Sequence, residues 1–148
     1  MWCIIRDTKL SKTELTTWEL NDWVHTFSAE QLEIQGWTHQ LLVANCQRYE
    51  NMVLYKNSQI AALIHFYKPS HEILEILFLG TSPFCQSQGM MSQLLSDFLA
   101  AQKDKTIWLE CREDNVRARH LYAKKGFQEV GRRRAYYKDG SAAILFNY

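Results

Sequence analysis

The stretch Trp108–Phe127, W-L-E-C-R-E-D-N-V-R-A-R-H-L-Y-A-K-K-G-F, decides the fold. Ile107, Trp108 and Leu109 form an apolar run that leads into an acid, Glu110. Asn115 suits a helix N-cap, because its side chain can accept a hydrogen bond from one of the first free helix amides. Gly126 suits the left-handed residue just past a helix end, with Phe127 folding back onto that helix. The stretch thus predicts a buried strand, a polar turn and a short helix from Val116. Glu110 sits at the strand end, and Tyr122 lies two helical turns beyond the turn. An acid and a phenol brought toward one cleft suit proton transfer.

Upstream, Ser82-Pro83-Phe84-Cys85-Gln86-Ser87-Gln88-Gly89-Met90-Met91 follows one apolar strand and opens an apolar helix. That strand, Ile73 to Leu79, is the most apolar in the chain and is expected at the centre of a sheet. In the helix, apolar residues at 90, 91, 94, 95, 98 and 99 form a stripe out to about Gln102. Where it begins, backbone N–H groups lack internal partners, and with the positive end of the helix dipole they suit a pyrophosphate. Gly89 lets the backbone come close to such a ligand. Downstream, Arg132-Arg133-Arg134-Ala135-Tyr136-Tyr137 precedes a last strand, Ala142 to Asn147.

The rest of the chain reads as ordinary α/β material. Trp2 to Arg6 reads as a first strand and Ser11-Lys12-Thr13-Glu14 as a capping box. Leu20, Trp23, Val24 and Phe27 then recur at helical spacing. Ser28-Ala29-Glu30-Gln31 restarts a helix, Gly36 ends it, and a further short helix runs from Thr38 to about Cys46. The tryptophans at 18, 23 and 37 read as core or groove wall. Met52–Tyr55 and Ile60–Tyr67 are strands joined by the turn Lys56-Asn57-Ser58-Gln59, and Lys68-Pro69-Ser70-His71 makes the next reversal. Phe127 to Arg134 is expected as a strand. A strand-helix-strand crossover in this order demands one parallel pair in an otherwise antiparallel sheet.

Bulk properties narrow the function. The 148 residues fit one domain, 1–148, and 47% apolar with 22% charged content is ordinary for a globular protein. A net charge of +1 argues against dependence on a strong global field to find nucleic acid or membrane. No apolar run approaches the ~20 residues of a spanning helix, and Arg6, Asp7 and Lys9 stand where a signal peptide is apolar, so cytoplasmic residence is the expectation. Cys3, Cys46, Cys85 and Cys111 are widely spaced, which favours free thiols over disulfides and disfavours a metal site. Cys111 is not the nucleophile either: if Glu110 faces the cleft, strand alternation turns Cys111 the other way.

In order and spacing, the three segments around Gln86–Met91, Glu110–Phe127 and Arg132–Tyr137 resemble the GNAT acyltransferase superfamily. Within it they are most similar to the RimI-type ribosomal-protein-alanine N-terminal acetyltransferases. The resemblance covers the chain from about Ile60 to the C-terminus, and the first third is much less recognisable. It implies an α/β (α+β) GNAT fold: a mixed, mostly antiparallel sheet with flanking helices, whose parallel strand pair splays apart to admit the pantetheine arm of acetyl-CoA. It implies cofactor contacts from backbone groups of Leu79, Gly80 and Thr81, from Ser87, Gln88, Gly89, Met90, Met91 and Ser92, and from Asn115. Glu110 then matches the general base, acting directly or through a water, and Tyr122 the acid that returns a proton to the coenzyme A thiolate. Tyr136 and Tyr137 match tyrosines that hydrogen-bond the substrate peptide's backbone. The implied substrate is a protein N-terminal α-amine, with a ribosomal protein's N-terminal alanine foremost, and no metal is implied.

Plainer readings stand beside these. Glu110 could form a surface ion pair with Arg112 or Arg117, Tyr122 could be a core aromatic, and Asn115 could be only an N-cap. Glu75 is a rival base, since some members of the superfamily draw theirs from the preceding strand. Met91 occupies a position where the family pattern, Q/R-x-x-G-x-G/A, has a small residue. It either crowds a diphosphate or points into the core with its amide free, and its place in the apolar stripe favours the core. Three arginines with tyrosines could suggest RNA stacking, but without a wider basic face direct nucleic-acid binding is not expected. The rival functions are acetylation of a small-molecule amine or a lysine, and a non-catalytic coenzyme A-binding module.

Overall fold

The computed structural model describes residues 8–11 and 15–148. Its backbone is a seven-stranded sheet in the order β1-β2-β3-β4-β5-β7-β6. The strands are β1 (Thr8–Ser11), β2 (Glu50–Lys56), β3 (Gln59–Tyr67), β4 (Ile73–Thr81), β5 (Thr106–Arg112), β6 (Gln128–Arg133) and β7 (Ala143–Asn147). Helices α1 (Thr17–Val24), α2 (Ala29–Glu33) and α3 (His39–Arg48) precede β2, while α4 (Met90–Ala101) and α5 (Val116–Lys124) flank β5 in sequence. All neighbouring strands pair antiparallel except β4 and β5. The expected mixed sheet is therefore present, and β4 is its central strand. Strand β7 inserts between β5 and β6, an order that the sequence pattern alone did not specify.

The start of the chain differs from expectation. Trp2–Arg6 lies outside the described residues, as do 12–14, and Ser11 ends β1 rather than capping a helix. The equivalent chemistry, with Thr in place of Ser, occurs five residues later at Thr16 and Glu19. Thr16 Oγ1 accepts from the Glu19 N–H at 3.1 Å, and Glu19 Oε2 accepts from the Thr16 N–H at 2.9 Å. Ser28 and Gln31 form the second capping box as read, and Thr38 caps α3. Asn57 and Ser58 both take positive φ, as a two-residue hairpin turn requires. Trp23 is core, but Trp18 is 73% exposed and belongs to neither core nor groove.

Two apolar layers hold the sheet. On one face α4 and α5 pack Leu94, Leu95, Phe98 and Tyr122 against Ile64, Phe66, Leu74, Ile76 and Leu109. On the other, α1–α3 contribute Leu20, Trp23, Val24, Leu32 and Leu42 against Val53, Leu63 and Phe78. β4 serves both layers because it changes face. Phe66 pairs with Ile76 and His65 with Phe78, so Leu77 is an extra residue, a β-bulge. Before it Leu74 and Ile76 face α4; after it Phe78 faces α1.

Candidate active site

Parallel pairing of β4 with β5 lasts only from Ile73–Thr106 to Ile76–Leu109. It stops at the bulge, and from there β4 stays with β3 while β5 continues along β7. The divergence opens a cavity of about 890 Å³. Leu77, Leu79 and Thr81 wall it from β4, and Glu110 and Arg112 from β5. The starts of α4 and α5 border it on one side of the sheet, and the α2–α3 and β6–β7 loops on the other.

On the α4 side, the loop before the helix holds two left-handed residues, Ser87 at φ 60° and Gly89 at φ 75°. A Cβ at Gly89 would meet nothing within 4 Å, so glycine is there for its backbone angle. Among the described residues no side chain caps α4, and its first internal bond runs from the Gln93 N–H to the Gly89 carbonyl. The amides of Met90, Met91 and Ser92 precede that bond, and all three residues line the cavity together with Ser87 and Gly89. Gln88 does not line it: its side chain accepts from Lys56 and donates to the Phe84 carbonyl. Leu79 and Thr81 line it but Gly80 does not, because a Cβ there would lie 2.6 Å from a Phe78 carbon and 2.8 Å from Trp23. Met91 packs partly against the core, and Asn115 both borders the cavity and caps α5 by accepting from the Ala118 N–H at 3.1 Å. Arg117, which the sequence offered only as an ion-pair partner for Glu110, reaches Ser87 Oγ at 3.2 Å along the same wall.

Glu110 and Tyr122 border this one cavity from opposite sides of β5. Leu109 and Cys111 turn toward α5, where they share a core cluster with Tyr122, so Glu110 between them faces the other way. The divergence of β4 leaves both residues bordering one space. Tyr122 is buried against Phe127 and Phe146, and that burial pushes its hydroxyl above the usual phenol range, which keeps it protonated. Burial also pushes the Cys111 thiol up to about 11, consistent with a packing residue rather than a nucleophile. Glu110 does form an ion pair, but its partner is Arg133 at 3.0 Å. Arg112 pairs instead with Asp114 and Asp139. Glu75 also borders the cavity, its carboxyl raised first by burial and then by the Glu110 charge, with Arg133 partly opposing.

Across from α4, Tyr136 and Tyr137 meet edge-on at 5.2 Å and both line the cavity. Burial and the nearby Glu110 and Cys111 groups hold the Tyr137 hydroxyl up at about 12, burial being the largest cause. The three arginines do not act as one patch. Arg132 pairs with Glu113, Arg133 with Glu110, and Arg134 is exposed. Trp37, expected as core or groove wall, and Glu33, which the sequence did not single out, complete this rim. Arg112 binds Ile34 and Asp139 as well as Asp114, and sequence offered only a hint of this. Residues two apart on a strand share a face, which puts Arg112 beside Glu110, but nothing local announces Asp139. Among the described residues, no helix is long and apolar enough to cross a membrane.

The profile of the acetyltransferase (GNAT) family matches residues 12–127. A [ribosomal protein bS18]-alanine N-acetyltransferase from Haemophilus influenzae is 35% identical over 118 residues, covering 76% of this chain and 78% of that protein. The N-alpha-acetyltransferase RimI of Mycobacterium tuberculosis is 38% identical over 68 residues, which span 46% of this chain and less than half, 43%, of that relative. Among solved structures, the ribosomal-protein-S18-alanine N-acetyltransferase from Escherichia coli superposes with a TM-score of 0.73 at 26% identity, covering 95% of this chain and 92% of its own.

Proposed function

We propose that this chain, which belongs to the acetyltransferase (GNAT) family, transfers the acetyl group of acetyl-CoA to the α-amine of a protein N-terminus. A ribosomal protein beginning with alanine is the foremost substrate, as the names of its relatives suggest, and the cytoplasm is where it would be met. The observation that carries this reading is the cavity itself. One cavity has the start of α4, whose amides no side chain caps among the described residues, and a buried phenol on one side, and a carboxylate with two tyrosines on the other.

Acetyl-CoA supplies a thioester-activated acetyl group. The uncapped amides of Met90, Met91 and Ser92 suit its diphosphate, and the partnerless edge of β4 at Leu79 and Thr81 suits an amide-bearing pantetheine arm laid beside it. The amine enters from the Tyr136–Tyr137 side as an ammonium in need of one proton's removal. With an α-amine pKa near ~7.8, roughly a seventh is already neutral at pH 7, against fewer than about one lysine in 2,000. Glu110 takes the remaining proton, directly or through a water, after the incoming cation has displaced Arg133. The nitrogen bonds to the acetyl carbon, the carbon–sulfur bond breaks, and the Tyr122 hydroxyl gives its proton to the departing thiolate. The second proton, which the nitrogen sheds on becoming an amide, leaves to solvent as the phenolate regains one, so that one proton is released per turnover. Holding both partners in one cavity replaces a bimolecular encounter, which is the larger part of the acceleration. Acid–base help adds ~10²–10⁴-fold.

The test is to follow thiol release with acetyl-CoA and a panel of peptides whose N-termini are free or blocked. Turnover with free, alanine-led peptides and none with blocked ones is expected. Turnover confined to lysine side chains or small amines would replace this reading with another acceptor. Coenzyme A binding without turnover on any amine would reduce the chain to a binding module.

A further inference from the structure

We propose that Arg112 is the positioning residue of the acceptor side, fixing the separation of the two loops that frame the amine's entrance and backing Tyr137 against the cavity. The inference rests on that side being where the amine enters. Arg112 follows Glu110 by two residues, so both side chains leave β5 on one face. Its guanidinium is buried and all its nitrogens are engaged. Nε and Nη2 donate to Asp114 at 3.0 and 2.9 Å, and Nη1 and Nη2 donate to Asp139 at 3.3 and 2.7 Å. Nη1 also donates to the Ile34 carbonyl at 3.1 Å, and the flat of the group lies 4.8 Å from the centre of the Tyr137 ring.

Three segments far apart in sequence are thereby joined: the end of α2, the exit of β5 and the β6–β7 loop. Gln35, Gly36 and Trp37 follow Ile34 and line one rim of the cavity; Tyr136, Tyr137 and Lys138 precede Asp139 and line the other. Only a planar fork of five donors reaches so many acceptors at once; a lysine offers three donors from one point. The cation is 9% exposed while its two carboxylates are 62% and 56% exposed, so the web is organised from the inside. A second tie across the entrance, Lys138 to Glu33 at 3.4 Å, is exposed at both ends and contributes little. The spacing of the rims therefore depends on Arg112.

Two readouts on Arg112→Gln, Arg112→Lys and Asp139→Asn test this. The first is amide hydrogen exchange in the resting protein, which needs no acceptor. Segments 33–37 and 136–141 should exchange faster in all three variants, while 90–100 and 116–124 stay protected. The second is steady-state kinetics with a free-N-terminus peptide. The acceptor KM should rise at least ~tenfold in Arg112→Gln, with the dissociation constant for acetyl-CoA within about twofold, and Arg112→Lys should recover only part of the loss. Asp139→Asn removes an exposed partner and so keeps the test open should Arg112→Gln fail to fold. Unchanged exchange at the rims overturns the proposal. So does faster exchange with an unmoved acceptor KM, or donor and acceptor constants that deteriorate together. A wild-type protein that acetylates no peptide overturns the proposed function instead, and the exchange result still decides whether the clamp exists.

Discussion

Glu110 carries the largest claim of any single side chain, and it was legible because a strand-end acid, an N-cap and a Tyr122 two turns on occur together. Its partner was not legible, since Arg133 comes from a neighbouring strand whose place in the sheet depends on the insertion of β7. Removing the carboxylate in Glu110→Gln, or the phenol in Tyr122→Phe, should lower kcat by ~10²-fold or more, leaving acetyl-CoA affinity within about twofold. Glu75→Gln is the control, because Glu75 faces the same cavity with a raised proton affinity. A loss in Glu75→Gln equal to that in Glu110→Gln, measured in single-turnover experiments, would move the base to β4. A second prediction concerns His65, which is fully buried. Its Nδ1 faces Asn51 Oδ1 at 2.9 Å and the Glu50 carbonyl at 3.2 Å, while Nε2 has no partner among the described residues. Burial lowers its pKa to about 4, whereas the unfolded imidazole titrates near ~6.5. The unfolded chain thus takes up a proton first as pH falls, so this contribution to stability is whole above pH ~6.5 and declines toward pH ~4 by about 3 kcal/mol. Urea midpoints across that window should fall with acidification, and more steeply in the wild type than in His65→Gln. Parallel profiles would remove His65 from the account.

At the scale of single elements, the bulge in β4 does most to build the site. Leu77 is left over when Phe66 pairs with Ile76 and His65 with Phe78, and pairing with β5 ends at the same level. An apolar run of strand residues reveals a central strand, but it carries no mark of where one residue will be skipped. The sequence therefore announced β4 and could not place its change of face. Gly80 follows from that change. With β4 turned, its Cα meets Trp23 and Phe78, and a methyl group would overlap both. Gly80→Ala should cost about 1–3 kcal/mol, seen as a lower thermal midpoint, with the α1–β4 packing loosened. A midpoint equal to wild type would show that this packing has more room than described. The start of α4 supplies a complementary expectation. Because Met91 packs toward the core, Met91→Ala should lower stability and leave acetyl-CoA affinity within about threefold. A marked gain in affinity would mean that the long side chain obstructs the diphosphate after all.

For the whole molecule, the property on which the proposed reaction depends is that one cavity is bordered from both faces of one sheet. Helical and strand periodicities assigned nearly every element from Ile60 onward, because each segment buries a regular stripe. Of the rim at 33–37 and 136–139, Tyr136 and Tyr137 were expected from the resemblance and Trp37 as core or groove wall, but what joins the two loops is the long-range web around Arg112 rather than any local pattern. If the two substrates do meet inside the sheet, a single molecule that covers both halves must gain from both. The most direct measurement is the affinity of a conjugate in which the coenzyme A sulfur is joined, through an acetyl spacer, to the α-amine of an alanine-led peptide. Calorimetry should find it bound at least ~100-fold more tightly than coenzyme A or the peptide alone, with much of that gain lost in Arg112→Gln. A conjugate bound no better than coenzyme A would mean that the acceptor does not enter beside Glu110, contradicting the account at its centre.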